Sequence, residues 1–499
     1  MQREKEDELL DIIIVGGGIN GAGIAADASG RGLKVALFEA KDFASATSSA
    51  SSKLLHGGLR YLEHYDFRLV SEALAEREII LRKAPHIVKG MRFRLPHRPF
   101  LRPAWMIRMG LFLYDHLGKR SILGSSHQVD LAVSGLFKKD INIGFEYSDC
   151  WVDDARLVIL NVIDAKERGA EVHNYCRVVN AEDREGIWHV SIVDETSGRH
   201  FIRKSKVLVN ATGPWVKQFF DEHLKTTSPR NIRLVKGSHI VVPKIHNEEY
   251  AYILQNRDER IVFVIPYLHD FSMIGTTDVS YEGDPREVEV SVDEINYLIN
   301  VVNDHFVKQI NKSDIVWSYS GVRPLCDNGT NSPQTITRDY TLTLQQNMNK
   351  APLLSIFGGK LTTYRRLAES AMLHLASFFP SAGGPWTEYE ALPGGDFSCS
   401  KEQLCKNIRS DFPWLNISTA KRYIDQYGTL AWKIFKDVHE EEDMGMFFAT
   451  GVYAREIDYL IEYEFVKKLD DMLWRRTKLG IYLSDDQKLA IASYMKLKI

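Results

Sequence analysis

The chain has 499 residues, 44% hydrophobic and 26% charged, which is ordinary for a soluble protein and enough for about three domains of usual size. A formal net charge of −3 excludes nucleic-acid binding through bulk electrostatics. Cys150, Cys176, Cys326, Cys399 and Cys405 form no C-x-x-C pair and leave one over, as expected of reduced thiols in a cytosolic compartment.

The N-terminus is polar and rich in acid before it enters the first strand, so no signal peptide is expected. No apolar run approaches the ~18–20 residues of a spanning helix, and the chain is not expected to cross a membrane. The run Ile12-Ile13-Ile14-Val15, then Gly16-Gly17-Gly18-Ile19-Asn20-Gly21, then a helical stretch, then Lys34-Val35-Ala36-Leu37-Phe38-Glu39 reads as strand, glycine turn, helix, strand, acid. Gly16 permits the tight turn, Gly18 lets a pyrophosphate approach the backbone, and Gly21 lets helix pack on strand. The helix N-terminus offers N–H groups and partial positive charge to the diphosphate. Glu39 accepts from ribose hydroxyls and disfavours a 2′-phosphate.

A small-residue loop, Ala44 to Lys53, feeds Leu54-Leu55-His56-Gly57-Gly58-Leu59-Arg60. A flexible linker seldom runs into such a cationic glycine cluster, so the loop is expected to hug a cofactor. Residues 66–84 read as an amphipathic helix, and 160–180 as a helix ending near Gly169 followed by a strand. Strands around Trp188-His189-Val190 and Phe201-Ile202 suggest an antiparallel crossover, before a buried strand ending at Asn210. Strands fill 232–280 and a helix covers about 291–310. Leu353 to Phe357, Gly358-Gly359 and the residues that follow read as strand, turn and helix start. Past Gly394-Gly395, charged amphipathic helices dominate.

The glycine motif, the run Ala46 to Leu62, Gly321-Val322-Arg323-Pro324-Leu325 and Phe357-Gly358-Gly359-Lys360-Leu361-Thr362-Thr363-Tyr364 together closely resemble the aerobic, FAD-dependent glycerol-3-phosphate dehydrogenases, over essentially the whole chain. The resemblance implies an α/β fold: a glutathione-reductase-type FAD-binding Rossmann domain, a mixed-sheet substrate domain and a C-terminal helical cap. The expected blocks are about 8–90, 145–230 and 350–385 for FAD, about 91–144 and 231–349 for substrate and membrane, and 391–499 for the cap. It implies non-covalent FAD, with Gly16, Gly18 and Gly21 on the pyrophosphate and Glu39 on the adenosine ribose. Thr47, Ser48, Lys53 and His56 would line the stretch toward the flavin. Val178 would meet the adenine, Ala211 and Gly213 the diphosphate side, and Gly358, Gly359 and Thr362 the flavin. A helix N-terminus there would stabilise negative charge near N1 and O2.

The implied substrate is glycerol 3-phosphate, whose phosphate calls for cations. Arg60, Arg323, Arg338 and Lys360 are the candidates, with Arg338 and Lys360 assigned to phosphate and Arg323 to the C2 oxygen. Charge-assisted hydrogen bonds are worth roughly 1.5–3 kcal/mol each, so two give about 10²–10⁴ in preference over glycerol. Oxidising the alcohol also requires a base. His239 and His56 are the candidates, with Thr276, Thr277 and Asp278 expected to complete the pocket. No metal site is expected, since neither H-E-x-x-H nor zinc-type cysteine spacing occurs.

Residues 91–120 interleave Arg92, Arg94, Arg98, Arg102 and Arg108 with Phe, Trp, Met and Leu. Such a stretch suits an anionic membrane surface, with apolar side chains dipping in and guanidiniums at headgroup level. Pro96, Pro99 and Pro103 point to a short helix plus loops. The resemblance implies a peripheral enzyme on the cytoplasmic face of the inner membrane that passes electrons to quinone, and leaves a homodimer open. Two alternatives compete: an oxidase that returns electrons to oxygen, and a non-catalytic flavin-binding scaffold.

Overall fold

Ile12, Ile13 and Ile14 are fully buried in the strand Leu9–Val15, as a β-branched run covered on both faces must be. The structure is a computed structural model that describes residues 8–59, 62, 65–118, 123–327, 339–346 and 350–499. Across the first sheet the order is Thr341–Gln345, Leu353–Phe357, His200–Asn210, Leu9–Val15, Val35–Phe38 and Glu171–His173. The last five are mutually parallel. The crossover expected around Trp188 and Phe201 is present: Cys176–Arg184 and Ile187–Asp194 form an antiparallel pair that continues onto the first half of His200–Asn210. Helices Ile19–Gly30, Asp154–Glu167 and Tyr364–Leu375 share one apolar core against this sheet.

The second sheet is mixed. Ile232–Pro243 pairs along its length with Trp317–Cys326 and on its other side with Phe271–Gly275 and Val279–Ser280. Beyond lie Ile261–Tyr267, Ala251–Gln255, Val88–Pro96 and Ile143–Val152. The strand placement departs from the expected blocks. Leu54–Leu55 and Ile143–Val152 belong to this second sheet, and Thr341–Gln345 to the first, because chain segments join a sheet by edge pairing rather than by sequence proximity.

Residues 91–96, expected as part of a surface stretch, complete the strand Val88–Pro96; the short helix that follows is Ala104–His116. The C-terminal unit packs Lys401–Asp411, Ile417–Tyr427, Ala454–Tyr463 and Asp485–Lys496 into helices. Its Ile408, Tyr423, Leu460 and Ile491 join the same core as Ile12 and Ile24, so it is fused to the nucleotide-binding half.

Candidate functional site

Gly16, just past the first strand, stands at φ +110°, and a Cβ on Gly21 would sit 1.9 Å from the Gly16 carbonyl oxygen. Only glycine at both positions lets the helix start this close to the strand. Gly18 is the N-cap of Ile19–Gly30 and offers no side chain to it. The Ser48 hydroxyl accepts from the Ile19 N–H at 3.0 Å. Glu39 accepts from the Gly17 and Lys41 N–H groups at 2.7 and 2.9 Å. Burial raises its pKa, and those two donors oppose the shift.

From this cradle a single cleft of about 2110 Å³ runs to the second sheet. Glu39, Val178, Ala211 and Gly213, the loop residues Thr47, Ser48 and His56, the turn residues Gly358, Gly359 and Thr362, and the cations Arg323 and Lys360 all line it. The residues fit a dinucleotide, with glycine turn, helix N-terminus and acid in register along one groove. Asn20 adds to this fit. Its Nδ2 donates to the Gly358 carbonyl at 3.1 Å, and its buried Oδ1 has no hydrogen-bond partner among the described residues. Nothing but its place inside the glycine motif marks Asn20 in the sequence.

The serine loop is held from below. The Thr47 hydroxyl donates to the Val322 carbonyl at 2.6 Å. Lys53, expected to face the cofactor, is 1% exposed and gives its ammonium to Asp154 at 2.7 Å and to the Ser49 carbonyl at 3.1 Å. Asp154 also accepts from the Ser51 hydroxyl at 2.7 Å. Lys53 therefore anchors the loop through Asp154, although it borders the cleft. The turn at Gly358-Gly359 does not itself open a helix: Tyr364–Leu375 starts after a further turn and has no side-chain cap.

On the second sheet Arg323 is one-quarter exposed, ion-paired with Asp278 and bonded through Nη2 to the Thr276 hydroxyl at 3.0 Å. His56 borders the cleft, and its backbone N–H reaches the Thr362 hydroxyl at 3.4 Å. His239 stands apart from the cleft wall. It is 1% exposed, its ring stacks on Tyr319 at 4.8 Å, and its Nε2 lies 2.9 Å from the Ser52 hydroxyl. Burial first, then the charges of Arg323 and Lys53, hold its pKa well below the usual value. Ser52 does border the cleft. Arg60 and Arg338 lie outside the described residues.

The basic-aromatic stretch divides. Arg92 and Arg94 both pair with Glu146, and Arg98 with Asp304, so these three already have carboxylate partners within the chain. Helix Ala104–His116 instead turns Leu111 and Tyr114 inward and leaves Trp105, Met109 and Phe112 61%, 51% and 59% exposed. Met106, Ile107, Met109 and Leu113 of this helix border the same cleft as Arg323. No helix among the described residues is long and apolar enough to cross a membrane.

Residues 11–365 match the family model described as FAD dependent oxidoreductase, and residues 386–497 that described as C-terminal domain of alpha-glycerophosphate oxidase. The chain is 54% identical to the aerobic glycerol-3-phosphate dehydrogenase of Escherichia coli over 98% of this chain and 97% of that one. It is 44% identical to the D-erythritol 1-phosphate dehydrogenase of Brucella abortus over 98% of each. The glycerol-3-phosphate dehydrogenase of Bacillus halodurans, solved with FAD, superposes with a TM-score of 0.74 at 24% identity, over 99% of this chain and 95% of that one. The C-terminal helices, the two sheets and the glycine cradle are thus those of a known enzyme group, and the chain belongs to the FAD-dependent glycerol-3-phosphate dehydrogenase family.

Proposed function

We propose that the chain oxidises sn-glycerol 3-phosphate to dihydroxyacetone phosphate. The observation that carries this reading is one cleft lined both by a dinucleotide cradle and by the Arg323 guanidinium, which Asp278 and Thr276 fix. When bound, FAD supplies the hydride acceptor for C2. Arg323 faces the C2 oxygen and stabilises negative charge as it develops there, through a fork already oriented before substrate arrives. Lys360, with Arg338, takes the phosphate.

The proton from the C2 hydroxyl goes to His56, the candidate histidine that borders the cleft. A second route is favoured by one contact, the 2.9 Å approach of Ser52 to His239: Ser52 would pass the proton inward to His239 Nε2. The weakened basicity of that buried ring argues for His56.

The electrons then pass to a membrane quinone, with the protein peripheral on the cytoplasmic face of the inner membrane. The apolar face of Ala104–His116, continuous with the substrate cleft, supports this: it offers an amphiphilic carrier a non-aqueous way in. An oxidase would instead consume oxygen rapidly without quinone.

The deciding experiment is an anaerobic titration with glycerol 3-phosphate, D-erythritol 1-phosphate and glycerol, following flavin absorbance. Bleaching by glycerol 3-phosphate at far lower concentration than by the other two supports the reading. Preferential bleaching by D-erythritol 1-phosphate would reassign the substrate, and no bleaching by any of them would leave a flavin-binding scaffold.

A further inference from the structure

The residues just beyond Glu39 are held by the C-terminal unit. Asp42 is fully buried and accepts from Arg476 Nη1 and Nη2 at 2.7 and 2.8 Å, from Arg475 Nε at 2.5 Å and from Asn174 Nδ2 at 3.1 Å. Arg476 is itself fixed by two bonds to the Glu464 carbonyl at 2.9 and 2.8 Å. Phe43 meets Phe465 edge-on at 5.4 Å. Tyr175 donates to Asp471 at 2.7 Å. Asp471, Trp474 and Arg475 line the same cleft as Glu39.

The loop these contacts hold is coupled to the glycine turn. The Ala44 N–H donates to the Gly17 carbonyl at 3.1 Å, and a Cβ on Gly17 would stand 2.5 Å from the Phe43 ring. Moving Asp42 and Phe43 therefore moves Glu39 and the turn together. Burial alone would raise the Asp42 pKa, but Arg476 and Arg475 hold it below the usual carboxylate range. Removing a partner from such a buried pair leaves an uncompensated charge.

We propose that the C-terminal unit is a cofactor latch, in which Arg475 and Arg476 clasp Asp42, close the adenosine-diphosphate side of the cleft and slow the escape of FAD. This goes beyond FAD binding as such, on which it rests. The test is the rate of flavin release from the full-length holoprotein on dilution, followed by the rise in free-flavin fluorescence, and the Kd on reconstitution. Arg475→Gln and Asp42→Asn are compared with wild type, and the thermal midpoint of each FAD-free protein is measured alongside. Arg475→Gln leaves the Arg476 pair in place and so keeps the buried Asp42 compensated.

The latch predicts release and Kd both raised at least about tenfold in Arg475→Gln, with the FAD-free midpoint unchanged. Release at the wild-type rate, or faster only in proportion to unfolding of the FAD-free protein, overturns it. A wild-type protein that never retains FAD would refute the cofactor reading instead, so the two failures are distinct.

Discussion

The Ser52 hydroxyl and His239 Nε2 lie 2.9 Å apart although 187 residues separate them in the chain. The contact ties the serine loop to the strand Ile232–Pro243 and leaves Ser52 between the buried histidine and the cleft. It also separates the two candidate bases by experiment. His56→Ala is expected to slow anaerobic flavin reduction by about 10²–10⁴-fold, the usual contribution of a general base. Ser52→Ala should slow it by no more than about threefold. A larger loss in Ser52→Ala than in His56→Ala, measured by stopped flow, would move the base to His239.

Arg323→Ala is expected to lower kcat/KM by about 10–150-fold, the worth of one charge-assisted hydrogen bond of roughly 1.5–3 kcal/mol. Arg323→Lys should recover little of it, because a single ammonium cannot span Asp278, Thr276 and the substrate at once. Full activity in the lysine variant would show that only the charge matters there.

His239 and His86 are buried with pKa values well below the ordinary 6.5, burial being the leading cause for each. In the unfolded chain both bind a proton near that ordinary value, so between it and the folded values the unfolded state holds more protons. Their stabilisation is therefore complete above about pH 6.5 and is lost as the pH falls below it. The thermal midpoint should drop as the pH is lowered from about 7.5 to about 5.5. His239→Gln should flatten that slope without abolishing it, since His86 remains. An unchanged slope in the variant would mean that His239 does not titrate on unfolding in this range.

Trp105→Glu and Phe112→Glu place carboxylates on the exposed face of Ala104–His116. Both variants should lose binding to anionic vesicles in a sedimentation assay and lose quinone turnover, while glycerol 3-phosphate still bleaches the flavin anaerobically at the wild-type rate. Retained vesicle binding would place the membrane contact elsewhere on the surface.

Short-range pattern made much of this protein legible. The run Ile12 to Val15, the glycine turn and Glu39 occupy consecutive positions of one βαβ unit, so spacing alone brings them together. The amphipathic segment 66–84 becomes the helix Phe67–Lys83 for the same reason, since helical periodicity is written in neighbouring residues. Arg92 and Arg94 carry no local sign that Glu146 will neutralise them, because the pairing is between strands. Lys53, which borders the cleft as expected, gives no local sign that Asp154, 101 residues on, will hold its ammonium.

By itself the sequence determined the nucleotide-binding unit and the family, because each is carried by contiguous motifs whose chemistry depends on spacing. Only the tertiary structure decided that His239 is buried against Tyr319 and Ser52, that Arg92, Arg94 and Arg98 pair with carboxylates from distant segments, and that Arg475 and Arg476 reach back to Asp42. Burial and ion pairing between distant segments are properties of the packed chain, and no local pattern encodes which charge will meet which.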